Sequence, residues 1–351
     1  MIIPYIAIIS AAITTILALT LFRNLAIKIN LVDLPGERKK HSGSVPLVGG
    51  LAMFIGILVS LTLFPVDRDL TKYLLLALFV LVAIGSLDDH KNISVWLRFF
   101  FQAIAAMIMI LVVGISLESL GNLNGSGIIF LQKGSVPFTL IAVIGCINAL
   151  NMMDGLHGLA GGQSLITFIS IAFLAFINNS SLGFSVALVF CAVLIPFLID
   201  NLCIGRNEDK RVFMGDAGSM MLGFAIVWML VDLSQGVSRS FSPVTALWIF
   251  SVPLIDFFST IIRRIVNKQS PFKPDRGHLH HILIHKGYSD IKSLLVILSI
   301  TLAIAVTGIL GELLKFSEWK MFYGFLFIFL LYFLYIAYYG KNIKSNLELD
   351  D

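Results

Sequence analysis

Eleven long, nearly uncharged stretches limit this chain to very few folds. They run approximately over 2–22, 47–64, 72–87, 97–115, 137–153, 159–177, 184–200, 214–232, 244–264, 292–311 and 321–339. Runs of about 17–22 apolar residues suit helices that cross roughly 30 Å of hydrocarbon, whereas the strands of a membrane barrel are roughly ten residues long and alternate. In lipid, only helices and closed barrels satisfy every backbone polar group. The expected fold is therefore an all-α polytopic membrane protein with about eleven transmembrane helices. Composition agrees: 58% of the residues are hydrophobic and 13% charged, against about 25% charged in an ordinary globular domain. A soluble fold so poor in charge would expose large apolar patches and aggregate. This excludes a soluble enzyme, a disordered chain and a secreted disulfide scaffold. Cys146, Cys191 and Cys203 lie in or beside apolar runs and offer neither a disulfide framework nor a metal spacing. The opening MIIPYIAIIS lacks a basic segment and a cleavage site, so it reads as the first spanning helix.

Charge sets the orientation. The loops 23–45, 88–98, 200–213 and 263–292, with the tail 340–351, hold nineteen of the 25 Lys and Arg, and the opposite set holds six. The positive-inside bias then places the N-terminus outside and the C-terminus in the cytoplasm. A net charge of +4 is too weak to suggest nucleic acid as a partner; the partner implied by the apolar runs is the lipid bilayer. No repeat is seen and no polar segment is long enough to fold alone, so residues 1–351 read as a single integral membrane domain. Gly121–Gly134 reads as an external turn-rich loop or short hairpin.

Acids are costly at the ends of spanning helices unless they have a task, and here the unusual polar clusters share the cytoplasmic side. Asp88 and Asp89 close the third run. Two adjacent carboxylates repel, and a hard divalent cation suits such oxygens; a solvated helix end beside Lys91 is the competing reading. Asn148 and Asn151, three apart on a helix, face one side and lead into Asp154, Gly155 and His157. The alternative is a polar turn. Phe213-Met214-Gly215-Asp216-Ala217-Gly218-Ser219 opens the eighth run, where an Asp caps a helix or holds a metal, and where the helix start favours phosphate. In the long inner loop, Lys273 and Arg276 accompany His278, His280 and His281. That set suits anion binding; zinc lacks the Cys or HExxH pattern it would need. The basic run Arg38-Lys39-Lys40-His41 serves topology or lipid headgroups. Asp256, inside the ninth run, either pairs with Arg263 or Arg264 or serves the site. Carboxylates able to gather a divalent metal, beside loops able to cradle phosphates at a membrane face, fit metal-assisted phosphoryl transfer onto a lipid.

Together, LDDHKN (87–92), NALNMMDGLHGL (148–159), FMGDAGS (213–219), PDRGHLHH (274–281) and LVDLPGERKKHSGSVPLVGG (31–50) resemble the polyprenyl-phosphate N-acetylhexosamine-1-phosphate transferase family over nearly the whole chain. The H-x-H-H and PDR forms look like the bacterial undecaprenyl-phosphate N-acetylglucosamine-1-phosphate branch more than the peptidoglycan branch. The resemblance implies that undecaprenyl phosphate attacks the β-phosphate of UDP-N-acetylglucosamine, with Mg²⁺ or Mn²⁺, releasing UMP. The product would start O-antigen, enterobacterial common antigen or a related envelope polymer at the bacterial inner membrane. It also implies roles. Asp216 matches the metal-binding acid and Asn151 the amide beside it. Asp88 and Asp89 match the acidic pair, with Asp88 on the lipid phosphate. Asp154 would contact nucleotide or sugar. His278, His280, His281 and Arg276 would hold the donor phosphates, and a homodimer is compatible. Two departures stand out. His157 occupies a position where the family often has a second acid, and Asn92 and Gly277 replace acids found in some relatives.

Two other classes compete with this reading. An intramembrane aspartyl protease needs two acids sharing a proton inside the bilayer, whereas these acids lie at helix ends. A transporter would carry inverted repeats and broken helices near the midplane, and neither is read in the sequence.

Overall fold

A computed structural model describes residues 2–33, 44–65, 67–270 and 277–347. The chain is almost wholly helical, and each predicted apolar run falls on a helix. Helix α1 spans Ile2–Lys28, and the chain then forms a two-stranded antiparallel ribbon, β1 (Val32–Asp33) with β2 (Val45–Pro46), pairing Val32 with Pro46. Next come α2 (Gly49–Leu63), α3 (Arg68–Lys91) and α4 (Val95–Met107), the last continued by a π-helical turn over Ile108–Val112. Then follow α5 (Ser135–Met153), α6 (Leu159–Ile177), α7 (Ser181–Asn201) and α8 (Gly215–Ser234). The chain ends with α9 (Pro243–Ile249), α10 (Ser251–Val266), the short α11 (Leu279–His285), α12 (Asp290–Leu313) and α13 (Glu318–Leu347).

The starts of these helices follow local chemistry. The Asp67 carboxylate accepts the backbone N–H groups of Asp69 and Leu70 and so caps α3, while Ser94, Ser180 and Ser289 cap α4, α7 and α12. Helix α8 runs through the middle of the bundle, with Phe224 and Trp228 fully buried. Helices α1, α4 and α13 lie at the edge and present Leu17, Phe100 and Phe327 outward, as lipid-facing helices do.

Among the described residues, nine helices are long and apolar enough to cross a membrane, or ten with one bent pair counted as a span. The eleven expected runs comprise these nine, the bent pair and one shorter helix. The 47–64 run yields only the 15 residues of α2, about 22 Å at 1.5 Å per residue and short of a full hydrocarbon core. Helix α2 still runs antiparallel to α1: the Leu47 N–H donates to the Leu31 carbonyl at one end, and the Ser60 hydroxyl donates to the Ala7 carbonyl at the other.

One correction concerns the 244–264 run, which the sequence presents as continuous. The structure breaks it between α9 and α10 with an 84° bend. Pro253 lacks an N–H, and its ring opposes the carbonyl of residue 249, four positions back. That carbonyl instead receives the Thr167 hydroxyl at 3.4 Å. So a broken helix is present, although the sequence reading found none.

The expected hairpin at 121–134 is present in short form. Leu120 donates to the Ile129 carbonyl at 2.9 Å, Ile129 to the Gly121 carbonyl at 3.0 Å, and Ser119 bridges Phe130. The three cysteines are free.

Candidate active site

Three helices touch backbone to backbone where α8 begins. A Cβ on Gly85 of α3 would lie 2.4 Å from the Ala217 Cα, and one on Gly50 of α2 would lie 2.2 Å from the Gly218 nitrogen. Only the missing side chains allow this approach. The segment entering α8 is also stitched to the start of α2: Gly49 and Gly50 donate to the carbonyls of Phe213 and Met214, and Phe213 donates to Pro46. The motifs at 45–50, 85–89 and 213–219 thus form one structural unit.

That unit sets the acids. Gly215 has φ +69°, a left-handed conformation suited to glycine, and a Cβ there would strike the Asp89 carboxylate. Asp89 Oδ1 accepts the Asp216 N–H at 2.8 Å, and Oδ2 accepts the Ala217 N–H at 3.3 Å. Asp89 therefore caps α8 from another helix, at the end where the helix dipole favours negative charge. Its carboxylate orients Asp216. Asp216 Oδ1 in turn accepts the Asn151 amide at 2.6 Å, and that amide also reaches Ser219 Oγ at 2.9 Å.

Asp88 is 5% exposed, and both of its oxygens are engaged. Oδ1 accepts the Ile93 N–H at 2.8 Å, and Oδ2 accepts the Arg98 guanidinium at 2.8 Å. The same Arg98 nitrogen stands 3.6 Å from Asp216 Oδ2. Arg98 thus bridges the two acids, which also contact each other. It is the residue the sequence reading missed, having counted it as a topology charge. One spacing carries a signal: Arg98 and Gln102 are four apart, and Gln102 accepts the Asn148 amide at 2.8 Å. Asn148 therefore ties α5 to α4 one turn away from Asn151, so the two asparagines share a helix face but not a partner.

Asp154 caps the C-terminal end of α5 and is exposed, within electrostatic reach of Asp89. His157 stacks on Phe213, with centroids 4.9 Å apart and planes 25° apart, beside the segment that carries Asp216. The three histidines gather as expected: His280 lies 4.1 Å from His281 and 5.9 Å from His278, centroid to centroid. A Cβ on Gly155 would fall 2.5 Å from His280 Nε2, so the histidine segment packs on the turn that follows Asp154. His280 is 1% exposed. Burial first, and then the neighbouring His281 and His278, push its ring down to about 3. Lys273 and Arg276 lie outside the described residues, as do Arg38, Lys39, Lys40 and His41.

Within this cluster three carboxylates outnumber the one guanidinium among them. The Asp216 carboxylate, with the Asn151 amide beside it, supplies hard oxygens of the kind a magnesium-like ion takes, whereas both Asp88 oxygens are already engaged. Such an ion takes few protein ligands and fills its shell with water and phosphate. Among the described residues, no three His, Cys, Asp or Glu side chains form a closed metal cage.

A helical membrane bundle that gathers Asp88, Asp89, Asp216, two asparagines and three histidines at one end is built for chemistry on polar groups presented at a bilayer surface, as an integral membrane enzyme is. Residues 71–234 match the glycosyl transferase family 4 model. The chain is 40% identical over 321 residues to an undecaprenyl-phosphate alpha-N-acetylglucosaminyl 1-phosphate transferase of Haemophilus influenzae, covering 91% of this chain and 89% of that protein. It is 38% identical over 329 residues to the protein of the same description from Escherichia coli (strain K12), covering 92% and 88%. With the Yersinia pestis protein it shares 38% over 312 residues, covering 88% and 85%. The chain belongs to this family of undecaprenyl-phosphate alpha-N-acetylglucosaminyl 1-phosphate transferases.

Proposed function

We propose that this protein transfers N-acetylglucosamine 1-phosphate from UDP-N-acetylglucosamine to undecaprenyl phosphate, on the cytoplasmic face of a bacterial inner membrane. A phosphate oxygen of the lipid attacks the β-phosphorus, the bond to the UMP oxygen breaks, and UMP leaves with the bonding electrons. A phosphate monoester is already largely ionised near neutrality, so the acceptor needs orientation more than proton removal. The observation that carries this reading is the meeting of Asp88, Asn151 and Asp216 from three separate helices, the two acids on one guanidinium and Asn151 on Asp216.

The residues divide the work. Asp88 and Arg98 orient the acceptor phosphate. Asp89 holds the start of α8 so that Asp216 faces the site. Asp154 and His157 border the donor, and His278, His280 and His281, gathered against the turn after Asp154, hold its phosphates, with Lys273 and Arg276 assigned to the same task. Asp216 and Asn151 would hold Mg²⁺ or Mn²⁺, which when bound neutralises charge on the pyrophosphate oxygens. The lipid product would open the synthesis of O-antigen, enterobacterial common antigen or a related polymer.

The test is incubation of purified protein with UDP-N-acetylglucosamine, undecaprenyl phosphate and Mg²⁺. UMP release that EDTA abolishes supports the reading. No release, or release from a UDP-N-acetylgalactosamine donor alone, rejects it.

A further inference from the structure

A carboxylate deep in a helix bundle is costly unless it is bonded on several sides. Asp256 of α10 is 1% exposed, and its bonds come from elsewhere in the chain. His278 Nδ1 lies 2.6 Å from Asp256 Oδ2. The Tyr332 hydroxyl of α13 donates to Oδ1 at 2.6 Å, and the Leu279 N–H donates to the same oxygen at 3.3 Å. Asp256 lies on α10, beyond the 84° bend that follows α9, and meets the residues that open α11.

The chemistry of the contact is directional. A carboxylate accepts, so Nδ1 of His278 carries the proton, and Nε2 is the ring nitrogen left to act beyond this contact. Tyr332 blocks the other carboxylate oxygen and keeps Asp256 from turning. Histidines that must present one nitrogen are commonly fixed in this way by a carboxylate behind them. His278 also ranks the other two histidines, since His280 stacks parallel to it at 8° and His281 lies 6.4 Å away.

We propose that Asp256 and Tyr332 are positioning residues: the chain Tyr332–Asp256–His278 locks the His278 ring so that Nε2 is presented to a donor phosphate. This rests on the reading of the histidines as the donor-phosphate site. Neither residue touches substrate, and both act through His278.

The experiment is a double-mutant cycle on the full-length protein, reading kcat and KM for UDP-N-acetylglucosamine by UMP release. Asp256→Asn and Tyr332→Phe should each raise KM at least about tenfold, with a smaller change in kcat. In a His278→Gln background, the same two changes should cost nothing further. A loss that adds fully to that of His278→Gln would overturn the proposal, as would an unchanged KM in both single variants. Tyr332→Phe removes one hydroxyl and keeps the ring, so it carries the test if Asp256→Asn does not fold. A second readout does not depend on transfer: ¹⁵N spectra of histidine-labelled protein, with His278 identified by His278→Gln. These should find the Nδ1 proton in the wild type and a changed pattern in Asp256→Asn. A proton on Nε2 alone in the wild type would overturn the proposal. Absence of UMP release by the wild type would instead reject the transferase reading and leave the spectrum to decide this one.

Discussion

At the residue scale, the site is a problem of charge. Asp88 is buried and Asp216 partly so, and one guanidinium reaches both. Replacing either acid by its amide keeps the shape and removes a charge, so Asp88→Asn and Asp216→Asn should each lower UMP release at least about a hundredfold. Near-wild-type turnover in either variant would contradict the assignment. The acids were legible in the sequence because an apolar chain carries so few. Arg98 was not, because it sits among the basic residues that set topology. Asp256 was noticed, but Arg263 and Arg264 on the same helix were the partners in view, whereas His278 arrives through a loop that sequence spacing cannot place. A second prediction concerns His280, whose ring sits near 3 when folded and near 6.5 when unfolded. Between those values the unfolded chain takes up a proton that the folded one refuses. The stability from the neutral ring is therefore complete above about pH 6.5 and is lost as the pH falls toward 3, by at most about 1.4 kcal/mol per unit. Thermal unfolding in detergent should show the gap between wild type and His280→Gln shrinking from pH 7.5 to pH 5. A constant gap would contradict this.

At the element scale, the site depends on helices that approach without side chains between them. Gly85 precedes Asp88 by one turn, and the atoms a side chain there would strike are the backbone of Ala217. Backbone within a packed helix gives way only at a cost. Gly85→Val should lower stability by about 3 kcal/mol and should cut UMP release as well, since it pushes α3 from α8 and separates Asp88 from Asp216. Ala83→Val, at an exposed position on the same helix, should change neither. Equal effects in both variants would mean that the contact does not set the site. The same scale explains what the sequence concealed. The length of an apolar run gives the existence of a helix, so each of the eleven runs falls on helix. It says little about shape, because lipid-facing and protein-facing residues are both apolar here. The bend at Phe250 needed the consequence of Pro253 to be drawn, and the start of α2 is held by long-range bonds that no local pattern shows, from Gly49 and Gly50 to the residues before α8.

At the scale of the whole molecule, the acids and the basic residues constrain each other. The end of the bundle with Asp88, Asn151 and Asp216 also carries Lys28, Lys91, Arg98, Arg206 and Arg211, all in the Lys- and Arg-rich set of loops. The far end holds Glu118, Gln235, Arg239, Glu312 and Glu318, joined in local contacts such as the Arg239–Glu318 ion pair at 2.8 Å and the hydrogen bond from Ser242 Oγ to Glu312 at 2.5 Å. The proposed orientation, argued from the positive-inside bias, has the basic end in the cytoplasm, where sugar nucleotides are made, and so joins topology to function. It is testable with cysteines in a background in which Cys146, Cys191 and Cys203 are replaced. Val237, fully exposed at the far end, and His90, exposed beside Asp89, supply the two probes. In intact cells, an impermeant maleimide should label Val237→Cys, and it should reach His90→Cys only after the membrane is opened. The reverse pattern would place the acids outside, away from any pool of nucleotide-activated sugar. A charged donor could then not reach Asp216 without crossing the bilayer, and the transferase reading would fall with the orientation.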